Sequence, residues 1–312
     1  MAINKAMKNI LKALSFGGIE VEASRNLANL KSLDPLKIFH KTIDYKVYNG
    51  DHEVPLRIYL PDDTVLREEG MGGNTAPVLL FFHGGGWVTE SIDNYDRVCA
   101  RMAKDTEQIV VSVEYRLAPE NKFPDGLFDC YAAAKAIFMN ESILNVSPDR
   151  ITLIGDSAGG NLTAALSLLA RDRGEFIPRR QILIYPAVNN DYSETSPFAS
   201  VHENGTDYLL TTGKMRDYMS LYMRTEEDLK NPYFAPLTAE DLSRQPKTLI
   251  LTAEFDPLRD EGEAYGERLR EAGNEVEIHR IKDALHGFFA LGIKYYHVQE
   301  SFEYIRKFLE EV

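Results

Sequence analysis

The stretch Gly155-Asp-Ser-Ala-Gly159 sets a serine between two glycines, where a β-branched apolar run, Ile151 to Ile154, gives way to an Ala- and Leu-rich run, Leu162 to Ala170. A G-x-S-x-G turn between strand and helix is a nucleophile elbow. It predicts a strained backbone at Ser157, with glycines that let strand and helix approach without Cβ atoms between them. Ser157 Oγ then stands above a helix N-terminus, whose free N–H groups favour developing negative charge. The chemistry this suits is nucleophilic attack. Because a serine hydroxyl is a weak nucleophile at neutral pH, it needs a general base, and the base needs an acid that holds it in one tautomer.

Two later segments offer those partners. Asp256 follows the apolar run from Thr248 to Phe255, in Glu254-Phe-Asp-Pro-Leu-Arg-Asp260. Glu254 and Asp260 are rival acids there, and an Asp-Pro pair also serves simply to turn the chain. His286 follows the run Val276 to Ile281, in Asp283-Ala-Leu-His-Gly-Phe-Phe289, and none of the six other histidines has a comparable position past this last strand-like run. His83-Gly-Gly-Gly86 follows a third apolar run, Pro77 to Phe82. A glycine loop there is either a tight turn or an oxyanion hole. In the second case its bare N–H groups face the charge that develops in the transition state, each worth about 3–4 kcal/mol. Gly85, Gly86 and Ala158 are the candidate donors.

Such residues converge only if a sheet carries them. Continuous apolar runs at Pro77–Phe82, Ile109–Tyr115, Ile151–Ile154, Gln181–Tyr185 and Thr248–Thr252 read as strands buried on both faces. Helical patterns separate them, around Tyr95–Lys104, Gly126–Asn140, Glu261–Ala272 and Val298–Leu309. The alternation predicts an α/β fold: a mostly parallel sheet with right-handed crossovers and its chemistry at the carboxyl ends of the strands. Upstream, Ile43–Tyr48 and Val54–Leu60 read as a hairpin turning at Asn49-Gly50-Asp51, and Glu68–Ala76 as a glycine-rich loop. Residues 1 to about 40 read as one or two amphipathic helices, broken near Phe16-Gly17-Gly18 and ended by Asp34-Pro35. Between Asn189 and Tyr233 strand character disappears, as expected of an insertion that folds over the sheet.

Composition narrows the classes. At 312 residues with 44% hydrophobic and 27% charged content, the chain can bury one large core. A net charge of −13 repels phosphate backbones and anionic membranes, so no nucleic-acid partner is expected. Cys99 and Cys130, the two cysteines, lie in apolar helical patterns and read as core thiols of a reduced compartment. No metal motif is present. Near the N-terminus Ile3, Met7, Ile10, Leu11 and Leu14 share a helical face, but Lys5, Lys8 and Lys12 interrupt it, so neither a signal peptide nor a stable membrane insertion is expected. A cytoplasmic location is the default.

With His83-Gly-Gly-Gly-Trp87, Tyr115-Arg-Leu-Ala-Pro-Glu120, Gly155-Asp-Ser-Ala-Gly-Gly-Asn161, Asp256-Pro-Leu-Arg-Asp260 and His286-Gly-Phe288 in this order, the chain resembles the hormone-sensitive lipase family of α/β-hydrolases, in its bacterial esterase branch. The resemblance runs from about Pro77 to the end. It implies an α/β-hydrolase catalytic domain over residues 41–188 and 234–312, with a helical cap built from residues 1–40 and the insertion 189–233. Ser157, Asp256 and His286 would be the triad, Gly85, Gly86 and Ala158 the oxyanion hole, and His83 and Asp156 supports that hold the loops. The implied activity is hydrolysis of short- to medium-chain acyl esters through an acyl-enzyme, with no cofactor; the resemblance also allows a homodimer. Phe16, Trp87, Tyr185, Tyr192, Tyr208, Leu209 and Phe288 would line the substrate pocket or equally form cap core. Two other readings remain: an amidase or peptidase on the same fold, and a non-catalytic small-molecule receptor using the covered pocket.

Overall fold

The computed structural model describes residues 18–32, 42–61, 76–139, 146–291 and 296–310, together with Lys12, Ser15 and Leu144. The apolar face expected near the N-terminus, Phe16, the Asp34-Pro35 helix end and most of the Glu68–Ala76 loop lie outside the described residues.

Eight strands form one sheet: β1 (Thr42–Asn49), β2 (His52–Tyr59), β3 (Val78–Phe82), β4 (Ile109–Val113), β5 (Ile151–Asp156), β6 (Arg180–Ile184), β7 (Lys247–Phe255) and β8 (Val276–Leu285). Their order is β1-β2-β4-β3-β5-β6-β7-β8. The β1–β2 hairpin pairs antiparallel through its Gly50 turn, and β2 lies antiparallel to β4. Every remaining pairing is parallel.

Every residue of β3, β4 and β5 is buried, because helices cover both faces of the central sheet. Alternation along β3 sorts the two cores. Val78, Leu80 and Phe82 point to one side with helices α3 (Asp125–Phe138) and α4 (Ala158–Arg173). Leu79 and Phe81 point to the other, with α2 (Ile92–Thr106) and the final helix α8 (Tyr296–Glu310). Each fully buried Leu or Phe side chain contributes roughly 1.5–3 kcal/mol, so the central strands form a well-packed platform for the site. Cys99 and Cys130 are buried free thiols, one in each core.

The remaining helices are α1 (Val21–Ser32), α5 (Ala199–Asn204), α6 (Thr212–Tyr222) and α7 (Arg259–Glu271). Of these, α5 and α6 belong to the insertion, whose Met215, Met219 and Tyr222 share the first core. Among the described residues no helix is long and apolar enough to cross a membrane.

The last strand is longer than the apolar run predicted. It continues to Leu285, and a bulge in its pairing with β7 brings Phe255 opposite Leu285. The next residue on each chain is a candidate site residue, Asp256 on one and His286 on the other.

Candidate active site

Strand β5 delivers Ser157 at its carboxyl end, and α4 begins at the following residue. Ser157 has φ 55° and ψ −116°, the strained elbow conformation its neighbours predict. The tight approach needs its glycines. A Cβ on Gly155 would strike the carbonyl of Gly159, and one on Gly159 would strike those of Phe82 and His83. Thus the elbow helix packs directly against the start of the glycine loop.

Ser157 Oγ lies 2.9 Å from His286 Nε2, and His286 Nδ1 lies 2.7 Å from Asp256 Oδ2. The aspartate is fully buried while the histidine side chain is 11% exposed, so a ligand can reach the imidazole but water cannot surround its acid. The second Asp256 oxygen accepts the Leu258 amide at 2.9 Å, which fixes the carboxylate plane. Neither rival acid is available. Glu254 accepts the Asp283 amide at 2.7 Å, and Asp260 is paired with Arg259 and accepts the Ser200 amide.

Gly85 and Gly86 have φ 106° and 61°, a left-handed turn closed by Val88 and Thr89 amides on the Gly85 carbonyl. Among the described residues the amides of Gly85, Gly86 and Ala158 donate to no protein group. Asp156 ties this loop to the elbow: it accepts the Gly84 amide at 2.9 Å and the hydroxyls of Tyr95 at 2.8 Å and Tyr185 at 3.2 Å. Burial pushes its carboxyl up to about 6, against the pull of those donors and of His286. His83 supports the same loop. Its Nδ1 donates to the Gly84 carbonyl at 2.8 Å and its ring stacks on Tyr115 at 4.4 Å, with burial lowering its pKa to about 4.

Of the aromatic candidates, Trp87 is buried in a stack with Tyr222 at 4.7 Å and donates to Asn161. Tyr185 and Phe288 are buried under the histidine, edge to face at 5.2 Å, and the Tyr185 ring is 4.8 Å from that of His286. Tyr208 is buried on Phe255, Tyr192 donates to Glu261, and Leu209 is half-buried, its amide bonded to Ser15. The structure thus gives Trp87, Tyr185, Tyr192, Tyr208 and Phe288 packing partners that sequence could not name.

Several positioning contacts escaped the sequence. Arg25 of α1 donates to the carbonyls of Val88 and Ala118 at 2.9 Å each and forks onto Glu120 at 2.8 Å. Tyr218 of α6 lies where a Cβ on Gly86 would stand. Asn204 of α5 donates to the Asp256 carbonyl at 3.2 Å. Each lies far from the loop it holds along the chain; only Asn161, which closes the elbow motif, had a signal. A groove away from the triad, lined by Phe138, Ile177, Arg179 and Lys247 among others, opens at the amino ends of β6 and β7. Its lining carries no serine, cysteine or histidine.

A family model described as the alpha/beta hydrolase fold matches residues 79–290. An arylesterase of Saccharolobus solfataricus is 38% identical over 274 residues, 88% of this chain and 84% of that protein. The chain belongs to the hormone-sensitive lipase family of α/β-hydrolases. Within that family, the carboxylesterase NlhH of Mycobacterium tuberculosis is 37% identical over 284 residues, covering 88% of this chain and 84% of its own. A solved structure of a hyperthermophilic esterase from Pyrobaculum calidifontis superposes with a TM-score of 0.85 at 34% identity, over 99% of this chain and 98% of that one. As a member of the hormone-sensitive lipase family this chain is an enzyme, a serine hydrolase on the α/β-hydrolase fold.

Proposed function

We propose that the enzyme is a carboxylesterase that cleaves short- to medium-chain acyl esters with Ser157, His286 and Asp256 as its triad. The observation that carries this reading is the continuous relay from Ser157 Oγ through His286 to a buried Asp256, at 2.9 Å and 2.7 Å. Its relatives named arylesterase and carboxylesterase support ester substrates. Oγ attacks the ester carbonyl carbon as Nε2 takes its proton, and the carbonyl π electrons move onto oxygen. The amides of Gly85, Gly86 and Ala158 receive that oxyanion. Collapse expels the alkoxide, which takes the proton from Nε2 and leaves as alcohol. Water then attacks the acyl-serine by the same steps in reverse, releasing the acid and restoring Oγ–H.

Residues 1–40 and 189–233 act as the cap over this site. In support, Leu209 donates to Ser15 at 2.9 Å and Ile19 donates to Asp217 at 3.3 Å, so the N-terminal region and the insertion bond to each other. The exposed edge of β8 and the final helix are where a homodimer would form, a point that light scattering on the purified protein decides.

The experiment is hydrolysis of p-nitrophenyl esters from acetate to long acyl chains, with Ser157→Ala and His286→Gln beside the wild type. The expected result is a rate maximum at short or medium chains and no measurable turnover in either variant. Equal rates on a matched anilide would favour an amidase. A folded wild type that turns over no ester would remove the esterase reading.

A further inference from the structure

After β6 the chain runs through Pro186 to Asn189 as a wedge between two helices. On one flank it touches the elbow: the Ala187 amide reaches the Ser157 carbonyl at 3.3 Å, and the Ala187 carbonyl accepts Asn161 Nδ2 at 2.8 Å. A Cβ on Gly160 of the elbow helix would come within 3.0 Å of Pro186. On the other flank stands α7, which begins three residues after Asp256, and a Cβ on its Gly262 would sit 3.5 Å from the same proline. The wedge therefore spaces the nucleophile from the acid.

Among the described residues the polar bond between wedge and acid helix is made by one side chain, Glu261. Glu261 is fully buried, and its Oε1 accepts the amides of Val188 at 2.8 Å and Asn189 at 3.1 Å and the Tyr192 hydroxyl at 2.9 Å. Its Oε2 is buried and, among the described residues, has no partner. Burial, reinforced by the charge of Asp256, pushes the group up to about 8.

We propose that Glu261 is a positioning residue for the reaction: its carboxyl locks the segment that touches the nucleophile to the helix that follows the acid, and so keeps Ser157 and Asp256 in register with His286. This inference rests on the triad reading above. The three donors converge on one oxygen, and an apolar replacement would strand them where water does not reach. Glutamine keeps an acceptor oxygen in place; alanine does not.

The test is steady-state kinetics on one ester with Glu261→Gln, Glu261→Ala, Tyr192→Phe and Ser157→Ala. In Glu261→Ala, kcat is expected to fall roughly 100-fold at nearly constant KM, the loss that about 1 Å of misplacement brings. Glu261→Gln should recover most of it, and Tyr192→Phe, which removes one donor and little volume, should lower kcat a fewfold. An alanine variant with native near-ultraviolet circular dichroism and wild-type kcat, or one changed in KM alone, overturns the proposal. So does a glutamine variant as slow as alanine. Should the alanine variant fail to fold, Tyr192→Phe decides, since an unaltered kcat there also overturns it. Activity persisting in Ser157→Ala would instead remove the triad reading, whatever the Glu261 variants do.

Discussion

The two flanks of Ser157 are held by different means. On the acid–histidine flank, the strands themselves set the geometry: Phe255 pairs with Leu285, Asp256 and His286 follow, and the Glu254 carboxylate receives the Asp283 amide. These ties join residues about thirty positions apart along one β-α-β unit. On the oxyanion flank, the loop from His83 to Glu90 leaves the sheet and is fixed by side chains from remote parts of the chain. Arg25 holds the Val88 carbonyl, Tyr222 stacks on Trp87, and Tyr218 covers Gly86. The acid flank is set chiefly by the sheet, with Asn204 of α5 added on the Asp256 carbonyl; the glycine loop is tied to the sheet by Asp156 and otherwise leans on the N-terminal helix and α6. On the proposed roles of the cap and of the Gly85–Gly86 amides, damage to Arg25 or Tyr218 should therefore weaken oxyanion stabilisation first.

The largest expected effect breaks the sheet-built flank at its acid. Asp256→Asn keeps the shape but changes what His286 Nδ1 faces, since an amide can present N–H where a proton acceptor is needed. We expect kcat to fall about ten-thousand-fold with the fold intact, read by ester hydrolysis alongside circular dichroism. A loss of tenfold or less would show that the carboxylate is not the histidine's partner. On the opposite flank, Gly86→Ala puts a methyl group into the Tyr218 ring and holds an alanine at φ 61°. The loop must move, and kcat should drop roughly 100- to 1,000-fold, as when one oxyanion donor is removed. Pairing it with Tyr218→Ala, which opens the space, should restore part of the rate. No recovery in the double variant would mean that backbone strain alone is responsible.

This asymmetry also explains what could be read from the chain. The mostly parallel α/β alternation, the elbow, and the positions of Asp256 and His286 after their strands follow from apolar runs and the turn residues after them, because strand ends in such a sheet point to one place; the strand order itself was not read. The bulge that carries β8 on to Leu285 was not legible, since Lys282 and Asp283 end the apolar pattern while the ladder continues past them. The oxyanion loop was recognisable by its glycines, but not its supports. Nothing local to Arg25 or Tyr218 distinguishes them from other arginines and tyrosines; their roles come from packing between segments 63 to 132 residues apart. The aromatic candidates met the same limit: an aromatic residue reads alike in a pocket and in a core, and only contacts separate the two.

A smaller effect tests whether the N-terminal helix belongs to the oxyanion flank. Arg25→Ala removes the bonds to Val88, Ala118 and Glu120 without touching the triad. Charge-assisted bonds of this kind point to a drop in kcat on the order of tenfold, with KM less affected. The Arg25–Glu120 pair is partly solvated, with side chains 30% and 58% exposed, so salt should weaken it. Wild-type kcat is therefore expected to decline modestly with ionic strength and the Arg25→Ala variant to be insensitive. Equal salt responses would detach this helix from the site.

The smallest effect compares the flanks by their buried carboxyls, Asp156 on the oxyanion side and Glu261 on the acid side. Burial raises Asp156 from an ordinary 3.8 to about 6, and Glu261 from 4.5 to about 8. In both, the folded state keeps a proton that the unfolded chain has released. The stability each contributes is complete below its ordinary value and is lost as pH rises through its folded value. Between about pH 4 and 6 both groups lower stability as pH rises; between about 6 and 8 Glu261 acts alone. The melting temperature should then fall by several degrees over the upper interval in the wild type. In Glu261→Gln, which has no proton to release, that upper slope should flatten, and in the lower interval only the part due to Asp156 should remain. A slope unchanged by the substitution would mean that Glu261 is already ionised in the folded enzyme, and that the acid flank carries two negative charges facing one histidine.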